Sequence, residues 1–173
     1  MKSRRWTLAK LNAMDRDEFT RVVGPVFERS PWIAAEAWAY RPFENFDRLH
    51  RTLCDIVWLS TGTRQVELIR AHPDLAGRAA HAGALTSASA TEQASAGLGR
   101  LSRDEATQFQ ELNQKFRQRF GFPFVICARL NRKEAILASC AERLNNTHQE
   151  ELRIALEEIA KIARLRLEDL VAG

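Results

Sequence analysis

The chain has 173 residues, of which 45% are hydrophobic and 28% charged, a composition typical of soluble globular proteins with a sizeable core. No apolar run approaches the roughly 20 residues that span a bilayer. The basic N-terminus lacks the apolar stretch of a secretory signal, and the C-terminus does not match a peroxisomal signal. These features predict a cytoplasmic protein with no membrane partner.

The net charge of +4 raises the question of nucleic-acid binding. The basic residues are scattered, however, and most have acidic neighbours, as in Arg16-Asp17-Glu18 and Arg132-Lys133-Glu134. The sequence has no basic stripe with interleaved aromatic residues. The pattern therefore favours solvated helix faces and predicts no nucleic-acid partner, while a mildly basic surface would attract a small anion.

The cysteines and histidines show no spacing typical of a metal site or a disulfide framework. Cys54, Cys127 and Cys140 are odd in number, widely spaced and set among apolar residues, which predicts reduced core side chains. The four histidines lack HxxxH and HExxH spacing. We therefore expect no protein-bound metal.

Helical spacing of apolar residues dominates the first half of the chain. Asp15 and Asn45 are placed as N-caps, because each precedes an amphipathic stretch. The pattern predicts helices over about 15–23, 32–40, 45–60 and 66–70.

The second half begins with small residues over 77–84, which we expect to form a loop that passes close over a ligand. A polar segment then leads into a helix that ends near Gly97. Ser102 and Glu105 form a capping box that opens a long helix, and Gly121 is its expected C-cap. Two further helices are predicted over about 133–144 and 147–171.

Between these helices, residues 122–129 form an apolar run with the local character of a buried strand. The chain offers no second strand to pair with it, and buried backbone groups need partners. We therefore predict a single all-α domain over 1–173, with roughly seven to nine helices and one short extended segment near 122–129. Its unpaired backbone groups would be free to hold a ligand.

His72 lies just past the predicted helix over 66–70 and is followed by Pro73. The proline ring disfavours helical geometry for the residue before it, so His72 is expected just past the helix end in a restrained conformation. The last carbonyls of that helix would favour a protonated imidazole. The structural alternative is that His72-Pro73 is a common helix stop without chemical meaning.

Three stretches are not required by helix packing, namely His72-Pro73-Asp74, Ser89-x-x-Glu92-Gln93 and the segment 120–129. With them the sequence closely resembles the OHCU decarboxylases, which act on 2-oxo-4-hydroxy-4-carboxy-5-ureidoimidazoline in the ureide pathway. The resemblance extends from about Phe19 to Val171. It also includes Tyr40-Arg41-Pro42-Phe43, Arg143-Leu144 and the stretch 159–167.

The resemblance implies an all-helical homodimer that needs neither metal nor organic cofactor. It also implies a small anionic substrate and (S)-allantoin as the product. The family's catalytic histidine corresponds to His72, and Glu92 completes the predicted catalytic pair. The family's substrate-binding residues correspond to Pro73, Ser89, Gln93, the backbone of Phe124, Val125, Ile126, Cys127 and Ala128, and Arg166.

The chemistry agrees with this assignment. Loss of carbon dioxide leaves an electron pair that the conjugated imidazoline ring can hold, so a cofactor is not needed as an electron sink. His72 would donate the proton, while Glu92 would orient the imidazole and keep it charged, or would bind polar ring atoms.

Structural alternatives remain open for individual residues. Ser89 and Glu92 also have the spacing of a capping box. Arg129 competes with Arg166 for the role of supporting cation, and an arginine in a last helix is usually part of a surface ion pair.

Two other functions remain open for the whole chain. One is a helical adaptor that kept the fold and lost the chemistry, and it would have no reason to retain His72, Glu92 and the segment 124–128 together. The other is a basic nucleic-acid-binding domain, which would show salt-dependent affinity for DNA.

Overall fold

The computed structural model describes residues 5–77 and 83–172, and these residues are helical apart from their connections. They contain nine α-helices: α1 Leu8–Ala13, α2 Arg16–Val23, α3 Trp32–Ala37, α4 Phe46–Leu59, α5 Gly62–Ala71, α6 Ser87–Ser95, α7 Arg103–Phe120, α8 Lys133–Arg143 and α9 His148–Leu170. Within the described ranges no strand occurs beyond an isolated bridge between Trp6 and Val171. The prediction of an all-α fold with seven to nine helices is confirmed.

The helix ends agree with the capping residues predicted from the sequence. Asp15 and Asn45 each accept a hydrogen bond at 2.8 Å from the backbone N–H three residues later. Ser102 and Glu105 form the reciprocal capping box of α7. Gly121 ends that helix with a φ of 76°, a left-handed conformation that glycine adopts without steric cost.

The residues divide into two compact units, of which the first comprises 5–71 and 160–172. Helix α3 packs against both α2 and α4 in this unit. Its core includes fully buried side chains from four helices, namely Leu11, Phe19, Ile33, Leu49 and Leu53. The bridge between Trp6 and Val171 joins its two chain ends.

Arg41 has a structural role within the first unit. Its Nη1 donates hydrogen bonds to the carbonyl oxygens of Asn12 and Met14 at 2.7 and 2.6 Å. The guanidinium also lies 4.1 Å from the centroid of the Trp38 ring. The Tyr40-Arg41-Pro42-Phe43 stretch therefore holds the loop after α1.

The second unit comprises residues 72–77 and 83–159, including α6, α7, α8 and the first half of α9. Its core is aromatic, and Phe116 contacts Phe120 and Phe124 with ring centroids 4.6 and 5.2 Å apart. Residues 123–127 are buried without regular secondary structure, which confirms the short extended segment. That segment ends earlier than predicted, because a 3₁₀ turn begins at Ala128.

No helix in the described part of the chain is long and apolar enough to cross a membrane.

The description of the whole chain as one domain stays a prediction.

Candidate active site

His72 is the first residue beyond α5, as the following proline predicts, and only 6% of its surface is exposed. Residues 72–77 form a turn that we call the His72 turn. Within it, the Gly77 N–H donates to the Asp74 carbonyl at 3.4 Å, and Ala76 has a φ of 51°. A buried histidine on a tight turn is a fixed group, since neither its backbone nor its surroundings leave it much freedom.

Two helices hold the His72 turn by its backbone. From α6, Gln93 accepts the Ala76 N–H at 3.0 Å through Oε1, and its Nε2 donates to the Asp74 carbonyl at 3.4 Å. From α7, the buried Asn113 donates to the Leu75 carbonyl at 2.9 Å. Both ends of the Gln93 amide therefore contact the turn, in addition to any contact with a substrate.

Asp74 does not cap the turn that follows it. Its carboxylate accepts two hydrogen bonds from Arg117 Nε of α7, at 2.9 and 3.1 Å. A pocket of about 440 Å³ lies beside this ion pair, lined by Pro73 and by the exposed glutamines of α7, Gln110, Gln114 and Gln118. The pair thus fixes the outer side of the turn.

The structure rules out the capping box between Ser89 and Glu92. Thr86 is the N-cap of α6, and its hydroxyl accepts the Ser89 N–H at 3.3 Å. Ser89 lies within the helix and is 4% exposed. Because residues three and four apart share a helix face, Ser89, Glu92 and Gln93 lie together, with Glu92 half-buried.

The face of α6 that carries Glu92 lies near the extended segment. Helix α6 packs against the 3₁₀ turn Ala128–Leu130. Burial raises the pKa of the Cys127 thiol, and the negative charges of Glu158 and Glu92 raise it further. Within the second unit, α6 therefore contacts the His72 turn, through Gln93, and the 3₁₀ turn that begins at Ala128 at the end of the segment 124–128.

The backbone of the extended segment is only partly free, which corrects the expectation drawn from the sequence. Arg143 donates to the Val125 carbonyl at 2.9 Å, and the Cys127 N–H donates to Glu158 at 2.8 Å. Asn131 donates to the Cys127 carbonyl at 3.0 Å. Along the chain, these partners lie 4 to 31 positions from the segment residues that they bind.

Sequence reasoning missed Arg143 and Glu158 at this segment. One available signal was the spacing of Glu151 and Glu158 on α9, because residues seven apart share the face that also buries Ala155 and Ile162. Two carboxylates on an apolar helix face indicate buried partners.

Arg166 lies in the first unit, where its Nη1 and Nη2 each donate to the Glu28 carboxylate at 3.1 Å. Both side chains are buried, so the alternative of a surface ion pair is wrong. Arg129 is exposed. The substrate-binding role of Arg166 and its competition with Arg129 stay predictions, as do the roles of the other site residues.

Among the cysteines, Cys127 and Cys140 are buried, as predicted for core side chains, whereas Cys54 is only half-buried. The three cysteines form no disulfide, and burial raises the thiol pKa to about 11 for Cys54 and about 12 for Cys140. No group of three or more potential metal ligands occurs among the described residues. Residues 78–82 of the loop expected to pass over a ligand lie outside the described residues, as does His81.

Comparison with known families gives a match over nearly the whole chain. The family model described as OHCU decarboxylase matches residues 12–168. The chain belongs to the OHCU decarboxylase family.

Curated relatives of this family cover almost the full length of the chain. The 2-oxo-4-hydroxy-4-carboxy-5-ureidoimidazoline decarboxylase of Amia calva is 43% identical, over 95% of this chain and 94% of its own length. That of Mus musculus is 42% identical, over 96% of this chain and 93% of its own length. The uric acid degradation bifunctional protein of a Bacillus species is 40% identical over 94% of this chain, which corresponds to 32% of that protein.

Solved structures of two related proteins share the fold. A crystal structure of (S)-allantoin synthase aligns with a TM-score of 0.75 and 28% identity, over 96% of this chain and 54% of that one. A crystal structure of OHCU decarboxylase in the presence of (S)-allantoin aligns with a TM-score of 0.64 and 26% identity, over 79% of this chain and 87% of that one.

Proposed function

We propose that this OHCU decarboxylase family member is a carboxy-lyase that converts 2-oxo-4-hydroxy-4-carboxy-5-ureidoimidazoline, or OHCU, to (S)-allantoin in urate degradation. The observation that carries the proposal is the match to the family over residues 12–168. The restrained His72 turn supports it, because the reaction needs a fixed proton donor.

The proposed reaction breaks the bond between the ring carbon and its carboxylate. Carbon dioxide leaves, and the electron pair of the broken bond moves into the conjugated ring, which gives an enol between the hydroxyl-bearing carbon and the neighbouring ureido-bearing carbon. His72 then delivers a proton to one face of the ureido-bearing carbon while the hydroxyl group loses its proton and becomes the ring carbonyl, so that the product is a single enantiomer. The reaction requires no external electron sink, so we expect activity without a metal or organic cofactor.

The other predicted residues would bind and orient the substrate. Glu92 would keep the His72 imidazole charged or would bind polar ring atoms. Ser89 and Gln93 would offer hydrogen-bonding groups from α6, Pro73 would contact the substrate from the His72 turn, and residues 124–128 would offer backbone groups. Arg166 would provide a positive charge for the anionic substrate.

The deciding experiment supplies OHCU generated freshly from urate and follows its ultraviolet absorbance together with the circular dichroism of allantoin. We expect the protein to accelerate the decay and to give optically active (S)-allantoin, whereas the uncatalysed reaction gives a racemate. Unchanged decay and a racemic product would contradict the proposal and would favour a helical adaptor without catalytic activity.

We further propose a homodimer that works in the cytoplasm with no nucleic-acid partner. The family resemblance supports the dimer, and the three cysteines without a disulfide fit a reducing compartment. Light scattering after size-exclusion chromatography should give twice the chain mass of 19.7 kDa. A monomer over the micromolar range would contradict the dimer.

A further inference from the structure

The extended segment 124–128 is surrounded by charged side chains to which the proposed mechanism gives no role. Arg143 is 8% exposed, Glu151 is fully buried and Glu158 is 9% exposed. Removing charges from water costs several kcal/mol each unless they find partners, so such groups are rarely incidental. Their partners at this segment indicate what they do.

Arg143 holds the first half of the segment. Its Nη1 donates to the Val125 carbonyl at 2.9 Å, and its guanidinium lies 4.4 Å from the centroid of the Phe124 ring. Its Nε donates to both Glu151 oxygens at 3.1 Å, and Nη2 also donates to that carboxylate. Because the guanidinium is planar, the Glu151 carboxylate fixes the direction in which Nη1 meets Val125.

Glu158 holds the second half of the segment, since its Oε2 accepts the Cys127 N–H at 2.8 Å. In extended backbone, the N–H and C=O groups of residues two apart point toward the same edge of the segment. The bound groups of Val125 and Cys127 therefore belong to one edge. The same alternation assigns the N–H and C=O groups of Ile126 to the opposite edge, and they make no hydrogen bond within residues 5–77 and 83–172. Protein groups thus bind one edge at Val125 and Cys127, whereas among the described residues the opposite edge is unbound at Ile126 and its next carbonyl, that of Ala128, accepts the Asn131 N–H at 3.1 Å.

We propose that Arg143 and Glu158 are positioning residues that hold one edge of the segment 124–128 and thereby aim its opposite edge at the substrate. The inference rests on the proposed function and extends it to residues outside the predicted site. Neither side chain needs to touch the substrate, because each acts through a backbone group of the segment.

A matched pair of substitutions tests Glu158. Glu158→Gln keeps an oxygen that can accept the Cys127 N–H, whereas Glu158→Met keeps the volume and removes that oxygen. Glu157 is the control, because it is adjacent in sequence but exposed and paired with Arg153. Glu157→Gln and Glu157→Met reproduce the same chemical changes away from the segment.

The expected result is a change in substrate affinity rather than in turnover. Glu158→Met should raise the KM for OHCU and the Kd for (S)-allantoin by about 10- to 100-fold, since misplaced binding groups weaken contacts made before the chemical step. Its kcat should change by less than about threefold. Glu158→Gln and both Glu157 variants should stay within about threefold of wild type in KM, Kd and kcat.

A double substitution tests Arg143 without leaving an unpaired buried charge. Arg143→Met with Glu151→Met replaces the whole ion pair by apolar groups, which proteins often tolerate. The control is the double variant Arg153→Met with Glu157→Met, which removes an exposed ion pair in the same way. The buried double variant should keep its thermal transition and show the same rise in KM and Kd, and it decides the question if Glu158→Met folds poorly.

Two outcomes would overturn the inference. One is wild-type KM and Kd in both Glu158→Met and the buried double variant. The other is a lower kcat with unchanged KM, which would indicate a smaller fraction of folded enzyme and a purely structural role. These results are distinguishable from failure of the proposed function, because in that case wild-type protein would not consume OHCU.

Discussion

At the scale of single residues, the surroundings of His72 distinguish it from a histidine that only ends a helix. A histidine before a proline is an ordinary helix stop, but this one is buried, and the turn that carries it is held by Gln93 and Asn113. Ordering two side chains from different helices against a turn costs conformational entropy. A histidine that only ends a helix needs no such ordering. The arrangement favours a catalytic role over the structural alternative.

We expect His72→Ala to lower kcat by about 10²- to 10⁴-fold, the usual contribution of a positioned acid. The far-UV spectrum should remain that of the wild type, and His72→Asn should retain part of the substrate affinity through its amide. His148→Ala is the control, because that histidine is exposed at the start of α9. Formation of (S)-allantoin at a near wild-type rate by His72→Ala would return the residue to a structural role.

Gly77 provides a second test of the turn at the scale of one residue. A Cβ at this position would lie 2.6 Å from the Asp74 Cβ, and Asp74 is held by Arg117. Gly77→Ala should therefore cost about 1–3 kcal/mol of unfolding free energy, as overpacking typically does, and lower kcat by shifting His72. Gly99→Ala is the control, since its Cβ would have nothing within 4 Å. Urea unfolding and steady-state kinetics measure both effects, and equal behaviour of the two variants would contradict this account.

At the scale of elements, α7 stabilises the site from outside it. Its capping box fixes its first turn, and the Lys133 ammonium ties Glu105 of that turn to α8. About two and three helical turns later, Asn113 and Arg117 reach the His72 turn. The capping box is a local sequence signal, but the helix that it begins contacts the His72 turn across 38 to 43 positions of the chain.

Asn113→Asp tests this connection. The carboxylate cannot donate to the Leu75 carbonyl and places a negative charge against it, so the variant should lose about 1–3 kcal/mol of unfolding free energy together with part of its kcat. Gln114→Glu introduces the same chemical change at the next position, which is exposed, and should leave both quantities near wild type. Wild-type stability and kcat in Asn113→Asp would show that α7 does not hold the turn.

At the scale of the whole molecule, the predicted site residues do not all belong to one unit. His72, Ser89, Glu92, Gln93 and the segment 124–128 belong to the second unit, whereas Arg166 belongs to the first, where Glu28 pairs with it. The second unit therefore contains both the predicted proton donor and most of the predicted binding groups.

Metal independence is a prediction about the complete protein. Because the substrate ring itself holds the electron pair, activity should survive prolonged treatment with EDTA followed by dialysis. The measurement is kcat before and after treatment, with parallel samples that receive Zn²⁺ or Mg²⁺. Activity that is lost and then restored by either ion would refute the proposed chemistry.

The amino-acid sequence by itself determined the described helices other than α1, the caps Asp15, Asn45, Ser102 and Gly121, and the position of His72 just after a helix. These features depend on interactions within about four residues, such as Asp15 with the Glu18 N–H or the restriction that Pro73 places on its neighbour. They are predictable because the interacting groups are always near each other in the chain. The family resemblance then indicated the candidate site residues.

Only the tertiary structure decided which polar groups are buried and what they bind. The sequence leaves the N-cap of α6 ambiguous because Thr86, Ser87 and Ser89 all carry hydroxyl groups, and the structure selects Thr86. Arg143 and Glu158 meet the extended segment across 18 and 31 positions, where no local pattern specifies a contact. The physical reason is desolvation: a buried charge or backbone group must find a partner, and packing of distant helices determines which partner is within reach.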